Sequence, residues 1–340
     1  MSPRRLESLT RHGALAAALL VAVAVPLASS RALAQSPSDS GVETCNGRVP
    51  TIVGTPGATL LGTPGDDVII TKGATRVDSG AGDDSICVSG TGAAVVNAGP
   101  GNDFVGARGH QGRTFVSLGF GDDTFIGGDG DDRVWSQEAS NQTSTDDHDV
   151  VLTGGGDDDV ISGSSTANNT DVVQLGPGDD TLATYGAVGG ADLAGGLGTN
   201  TLQPIPGPDV AGDWTFDNVT GQATLGDVVK LTWSSFQRFD LTGLQGERVR
   251  YLGSRASEWV VAGGTCAVVL RGRSGNDRLT VDPIGCNNLP AGDALLLGGP
   301  GNDQLTGGPG DDVLRGGGGR DRADGRDGVD RCFAEIRTRC

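Results

Sequence analysis

From Gly298 the chain can be cut every nine residues into GGPGNDQLT, GGPGDDVLR, GGGGRDRAD and GRDGVDRCF. Gly holds the first and fourth places of every unit and Asp the sixth; the first three units also have Gly second and an apolar residue eighth. A fixed nine-residue phase excludes a floppy linker and calls for a fold that makes the same turn at every step. The unit recurs upstream as GTPGDDVII (62–70), SGAGDDSIC (79–87), AGPGNDFVG (98–106), LGFGDDTFI (118–126), GGDGDDRVW (127–135), TGGGDDDVI (153–161), LGPGDDTLA (175–183), a degenerate GGLGTNTLQ (195–203) and GRSGNDRLT (272–280). Apart from the adjacent pair at 118 and 127, successive starts up to 195 lie 17 to 26 residues apart. That spacing brackets two nonapeptides, one full coil of a β-solenoid.

Short apolar runs such as AAVVNAG, TFVSLG, DVVLTG and DALLLG precede the units, so each coil reads strand, Gly/Asp turn, strand. The expected fold is all-β: a right-handed parallel β-roll or β-helix with about 17–26 residues per coil. Gly suits a sharp turn that needs positive φ. The eighth residue is expected to face a narrow core, and the sixth-place Asp to point outward. Stacked carboxylates repel unless a cation lies between them, and a flexible site of carboxylate and carbonyl oxygens suits Ca²⁺ better than Mg²⁺.

Composition agrees with this reading. The chain has 59 Gly in 340 residues, 4% aromatics, and 37 Asp against 6 Glu, which leaves little helix-forming material. Residues 1–34 read as a signal peptide: Arg4, Arg5 and Arg11, then the apolar stretch 13–28, then ALA at 32–34, with cleavage expected near Ala34. The expected localisation is secreted, with no membrane span. Its removal leaves 21 Lys+Arg against 42 Asp+Glu, a net charge of −21, which argues against nucleic acid as a partner. Six Cys in an exported chain read as disulfides, and proximity favours Cys332–Cys340 and Cys266–Cys286, leaving Cys45–Cys87.

These nonapeptides resemble the RTX, or haemolysin-type, calcium-binding repeats. The resemblance runs through most of 62–333 and is strongest at 298–333. It implies several Ca²⁺ ions held in the turns by sixth-place Asp and backbone carbonyls. Carried over unit by unit, the ligand candidates are Asp67, Asp84, Asp103, Asp123, Asp132, Asp158, Asp180, Asp277, Asp303, Asp312, Asp321 and Asp330. Asp303 and Asp312 are expected to hold calcium best, because Arg320, Arg322, Arg326 and Arg331 crowd the last units. The chain departs from the family's toxins in its N-terminal signal and its six Cys.

The expected organisation is 35–61 as an N-terminal linker or cap, 62–203 as solenoid, 204–271 as degenerate aromatic-richer coils, 272–333 as solenoid and 334–340 as a C-terminal cap. In the aromatic segment, GSRASEWVV (253–261) aligns as a decayed unit with Glu258 at the Asp place, so Trp214, Trp233 and Trp259 are expected to fill a fatter core. His110 and His148 have no partner motif and read as surface residues. No nucleophile-elbow or zinc-protease motif is present. The expected function is a secreted calcium-binding solenoid that folds on calcium and serves a structural or adhesive role. The alternatives are a lyase-like enzyme on acidic polysaccharide, with Lys72, Lys230, Arg238 or Arg250 as base, and an extracellular partner-binding module with a cell-surface or polysaccharide contact.

Overall fold

The computed structural model describes residues 43–136, 148–163, 169–186, 191–205, 212–283 and 292–340. The described residues contain strands and turns and no helix. Successive strands alternate between two sheets, one of 16 strands and one of 14. Almost every neighbouring pair is parallel: Ala94–Pro100 lies beside Thr114–Phe120, and Ser85–Cys87 beside Phe104–Gly106. The architecture is the expected parallel β-solenoid.

Alternation along each strand sets the core. In Thr114–Phe120 the residues Thr114, Val116 and Leu118 are buried and those between them only partly so. The eighth-place residues stack on one another inside: Ile69, Ile86, Val105 and Phe125 in one file, and Val134, Val160, Leu182 and Leu202 in the other, all fully buried. Each such side chain contributes roughly 1.5–3 kcal/mol of burial. The core is therefore a narrow ladder extended coil by coil, with no single centre.

The sheets begin at Ile52–Val53 and Thr59–Thr63, inside the segment expected to be a cap. At the other end Ile336–Thr338 pairs with Arg322–Asp324, so the last residues add a strand. Disulfides join Cys45 to Cys87 and Cys332 to Cys340. Cys266 is also disulfide-bonded; Cys286 lies outside the described residues, as does most of the polar loop at 136–149.

The aromatic segment departs from simple coils. Asp213–Asp217, Gln222–Leu225 and Val228–Ser234 form an antiparallel meander inserted into the 16-stranded sheet. The 14-stranded sheet runs past it without a break, Thr201–Ile205 pairing with Arg238–Leu241 and that strand with Trp259–Ala262. Trp214, Phe216, Trp233, Phe239 and Tyr251 form a chain of ring contacts 5.1–5.9 Å apart at their centroids. The fatter core is therefore real, but Trp259 is not part of it. That ring is exposed on the outer face between the guanidinium groups of Arg238 and Arg278.

Candidate metal centre

Each nonapeptide forms the turn that carries the chain from one sheet to the other. Units 62, 79, 98 and 118 lead from the 14-stranded sheet into the 16-stranded one and stack along a first edge. Units 127, 153, 175 and 195 lead back and stack along the second edge. The nine-residue step between 118 and 127 is thus the point where the series changes edge. Units 253, 272, 298 and 316 continue on the second edge, while 307 and 325 return to the first.

The sixth-place carboxylates do not point outward as expected. Asp67, Asp84, Asp103, Asp123, Asp132, Asp158, Asp180, Asp277, Asp303, Asp312 and Asp321 are all buried, at most 5% exposed; only Asp330 is half-buried. The reason is a ladder along each edge, in which one carboxylate oxygen accepts the backbone N–H of the preceding coil. Asp67 N–H donates to Asp84 Oδ1 (2.7 Å), Asp84 N–H to Asp103 Oδ1 (2.8 Å) and Asp103 N–H to Asp123 Oδ1 (2.7 Å). On the second edge Asp132 N–H donates to Asp158 Oδ1, Asp158 N–H to Asp180 Oδ1, Asp277 N–H to Asp303 Oδ1 and Asp303 N–H to Asp321 Oδ1. Asp312 N–H likewise reaches Asp330 Oδ1 (2.9 Å).

The second oxygen decides the chemistry. At Asp103, Asp180, Asp277, Asp303 and Asp321 it is buried with no hydrogen-bond partner. Burying an ionised oxygen without a partner is costly, so such a group takes up a proton or a cation. Burial accordingly pushes Asp103, Asp132 and Asp277 up to about 7 and Asp180 and Asp312 up to about 6, with neighbouring aspartates adding to it. Burial also raises Asp84, Asp158 and Asp303. Asp67 goes the other way: burial raises it, but hydrogen bonds from the Thr63 N–H and hydroxyl and from Thr51 outweigh that and lower it.

The turns offer an oxygen cradle beside that orphaned atom. A Cβ built on Gly298 would meet both Asp303 Oδ2 and the carbonyl of Gly316 in the next coil; one on Gly272 would meet Asp277 Oδ2 and the Gly298 carbonyl. Two acceptors thus face the same spot, which suits a hard cation taking carboxylate and carbonyl oxygens. Among the described residues no three carboxylate, imidazole or thiol side chains converge on one point, so backbone carbonyls have to complete any such site.

Several ladder members carry no nonapeptide signature. Asp123 N–H donates to Asp149 Oδ1 and Asp149 N–H to Asp171 Oδ1, extending the first edge. The surviving signal is an Asp followed at two residues by the core position, as in Asp149–Val151 and Asp171–Val173, both of these valines being fully buried. On the second edge the ladder turns neutral: Asp180 N–H donates to Asn200 Oδ1 and Asn200 N–H to Gln237 Oε1. Glu258 then stands in line, its N–H donating to Asp277 Oδ1 (3.0 Å). A parallel, exposed ladder at the fifth place runs the opposite way: Asp66 Oδ1 accepts Asp83 N–H, Asp83 Oδ1 accepts Asn102 N–H, and Asp157 Oδ1 accepts Asp179 N–H. The recurrent Asp or Asn at that place was its visible trace.

Other expectations change as well. His110 is buried, not a surface residue, with Nδ1 3.0 Å from the Gly90 carbonyl; His148 is exposed. The cations considered for a lyase do not come together: Lys72 pairs with Glu43, Arg238 lies over Trp259 on the 14-stranded sheet, and Arg250 and Lys230 lie on strands of the other. At the second place of their turns Arg273 and Arg326 are held left-handed (φ 74° and 72°). That conformation costs a non-glycine residue about 1–2 kcal/mol. Arg273→Gly is therefore expected to raise stability by about 1 kcal/mol, read as a higher urea midpoint; an unchanged or lower midpoint would contradict the strain.

Fold and turns together define a class: a parallel β-solenoid edged by ladders of buried aspartates in glycine-rich turns. Comparison with protein families finds four copies of the RTX calcium-binding nonapeptide repeat, over residues 108–141, 145–169 and 296–332. The chain is a parallel β-solenoid that carries RTX calcium-binding nonapeptide repeats over these segments. The matched segments include both places where nonapeptides follow one another at nine residues; the units at 62, 79, 98, 175 and 272 lie outside the match yet make the same turns. A search of curated proteins gives no match. No helix among the described residues is long and apolar enough to cross a membrane.

Proposed function

We propose that this is a secreted calcium-binding solenoid whose folding is completed by calcium and whose role is structural or adhesive. The observation that carries the reading is the set of buried carboxylate oxygens without a donor, each beside a carbonyl-lined turn. Leaving them ionised and unpaired opposes folding, whereas several Ca²⁺ ions would cancel their charge and join successive coils. The residues that would hold them are sixth-place aspartates with turn carbonyls. Ca²⁺ bound there supplies charge neutralisation and cross-linking, with no bond-making chemistry required. Extracellular calcium modules bind at about 10⁻⁴ to 10⁻³ M, so export into a calcium-rich compartment would act as the folding signal.

A flat outer face supports a contact role. Arg238, Trp259, Arg278, Gln304 and Arg322 stand in register across adjacent strands of the 14-stranded sheet. Stacked guanidinium groups of this kind favour an anionic partner such as an acidic polysaccharide. The test of the main reading is far-UV circular dichroism of the purified protein in calcium and in chelator. A β-rich spectrum that needs calcium is expected; the same β-rich spectrum in both solutions would overturn calcium-dependent folding.

A further inference from the structure

We propose that calcium is held by the later turns of each stack and not by the first, because the first turn closes on its own carboxylate. This rests on the calcium reading above and divides the twelve aspartates into two roles.

The turns form four stacks: 62, 79, 98 and 118 on the first edge; 127, 153, 175 and 195 on the second; 253, 272, 298 and 316 on the second; and 307 and 325 on the first. In the opening turn of each stack, the second-place N–H donates to the sixth-place carboxylate. Thr63 N–H reaches Asp67 Oδ2 (2.7 Å), Gly128 N–H reaches Asp132 Oδ2 (3.3 Å), Ser254 N–H reaches Glu258 Oε1 (2.7 Å) and Gly308 N–H reaches Asp312 Oδ2 (2.6 Å). None of these four second-place residues has positive φ.

In all ten later turns the second place is left-handed: Gly80, Gly99, Gly119, Gly154, Gly176, Gly196, Arg273, Gly299, Gly317 and Arg326. The cause is the stack itself. A later turn rests on the backbone of the turn below; a Cβ on Gly99 would strike the Gly80 carbonyl, and one on Gly317 the Gly299 carbonyl. An opening turn has no nonapeptide turn beneath it. Reversing φ swings the second-place N–H away from the carboxylate, which leaves the second oxygen bare at Asp103, Asp180, Asp277, Asp303 and Asp321. These five bare oxygens belong to later turns; the one exception in an opening turn is Glu258, whose Oε1 accepts the Ser254 N–H while Oε2 stays bare, because the site holds a Glu in place of Asp. The N–H of an opening turn and the cation of a later turn are therefore alternative partners for the same oxygen.

At Asp277 and Asp303 the bare oxygen also faces the first-place carbonyl of the next turn across a glycine; Asp312 has the same cradle at Gly307, but there the Gly308 N–H already holds the oxygen. Asp303 and Asp312, which the sequence made equals, separate here: Asp312 is already capped.

Native mass spectrometry of the full chain at neutral pH with calcium reads the ion count. Asp303→Asn is expected to lose at least one ion, and so is Gly298→Ala, whose methyl group fills the cradle. Asp312→Asn is expected to keep the wild-type count while remaining β-rich; if it does not fold, Asp67→Asn in the first opening turn serves the same comparison. An ion lost from a folded Asp312→Asn or Asp67→Asn, or a full count in Asp303→Asn, would overturn the partition while leaving calcium binding intact. A wild-type chain that carries no ion would instead overturn the calcium reading itself.

Discussion

Stripped of calcium, the protein is expected to be markedly more stable at pH 5.5 than at pH 8. Asp103, Asp132 and Asp277 stand at about 7 in the folded chain and Asp180 and Asp312 at about 6, against an ordinary value of 3.8. A carboxyl raised by folding stabilises the fold while it stays protonated. That stability is fully present below about pH 4 and disappears as pH rises through 6 to 7. At about 1.4 kcal/mol per pH unit, ionising each group costs roughly 3–4 kcal/mol. Five such costs match or exceed the roughly 5–15 kcal/mol that holds an ordinary domain together. The metal-free chain at pH 8 is thus expected to be largely unfolded. Asp67, Asp131, Asp324 and Glu335 are lowered and work in the opposite direction, but they are four against nine raised aspartates. Thermal melts in chelator between pH 5.5 and pH 8 check this. A melting temperature that rises with pH would show that the buried carboxylates do not control the fold.

Replacing Gly119 with alanine is expected to cost more than about 4 kcal/mol, the range reserved for severe backbone or core damage. Its φ of +119° disfavours any L side chain, and the new methyl would collide with the Gly99 carbonyl of the coil below. A carbonyl in a parallel ladder cannot retreat without breaking the bonds of its own coil. Gly226 is the control: φ is +59° and no atom lies within 4 Å of an added Cβ. Gly226→Ala carries only the left-handed penalty, about 1 kcal/mol. Urea midpoints of the two variants in calcium decide the matter, and equal losses would refute the close stacking of turns.

The architecture was legible because one phase fixed three things at once: turn, core residue and coil length. Every eighth place from Ile69 to Leu314 proved to be core. The direction of the sixth-place Asp was not legible. Alternation along a strand places residues on faces, but the last turn residue lies between two coils and is governed by which backbone N–H it meets. For the same reason Asp149, Asp171 and Gln237 escaped notice: the ladder needs only an acceptor at that height, and the glycines that made the other turns recognisable are absent. The meander at Asp213–Ser234 was hidden because its strands alternate as solenoid strands do, and only the partner of Gln222–Leu225 reveals antiparallel pairing. His110 was misplaced because a single histidine carries no periodic signal.

Calorimetric titration of the chelator-treated full chain with calcium at pH 7.5 tests the central claim most directly. Buried carboxylates that await a cation predict several ions bound per chain, with heat that saturates in the submillimolar to millimolar range and with growth of the β-rich far-UV signal. A chain that is fully β-structured before the first injection and takes up no calcium would contradict the account.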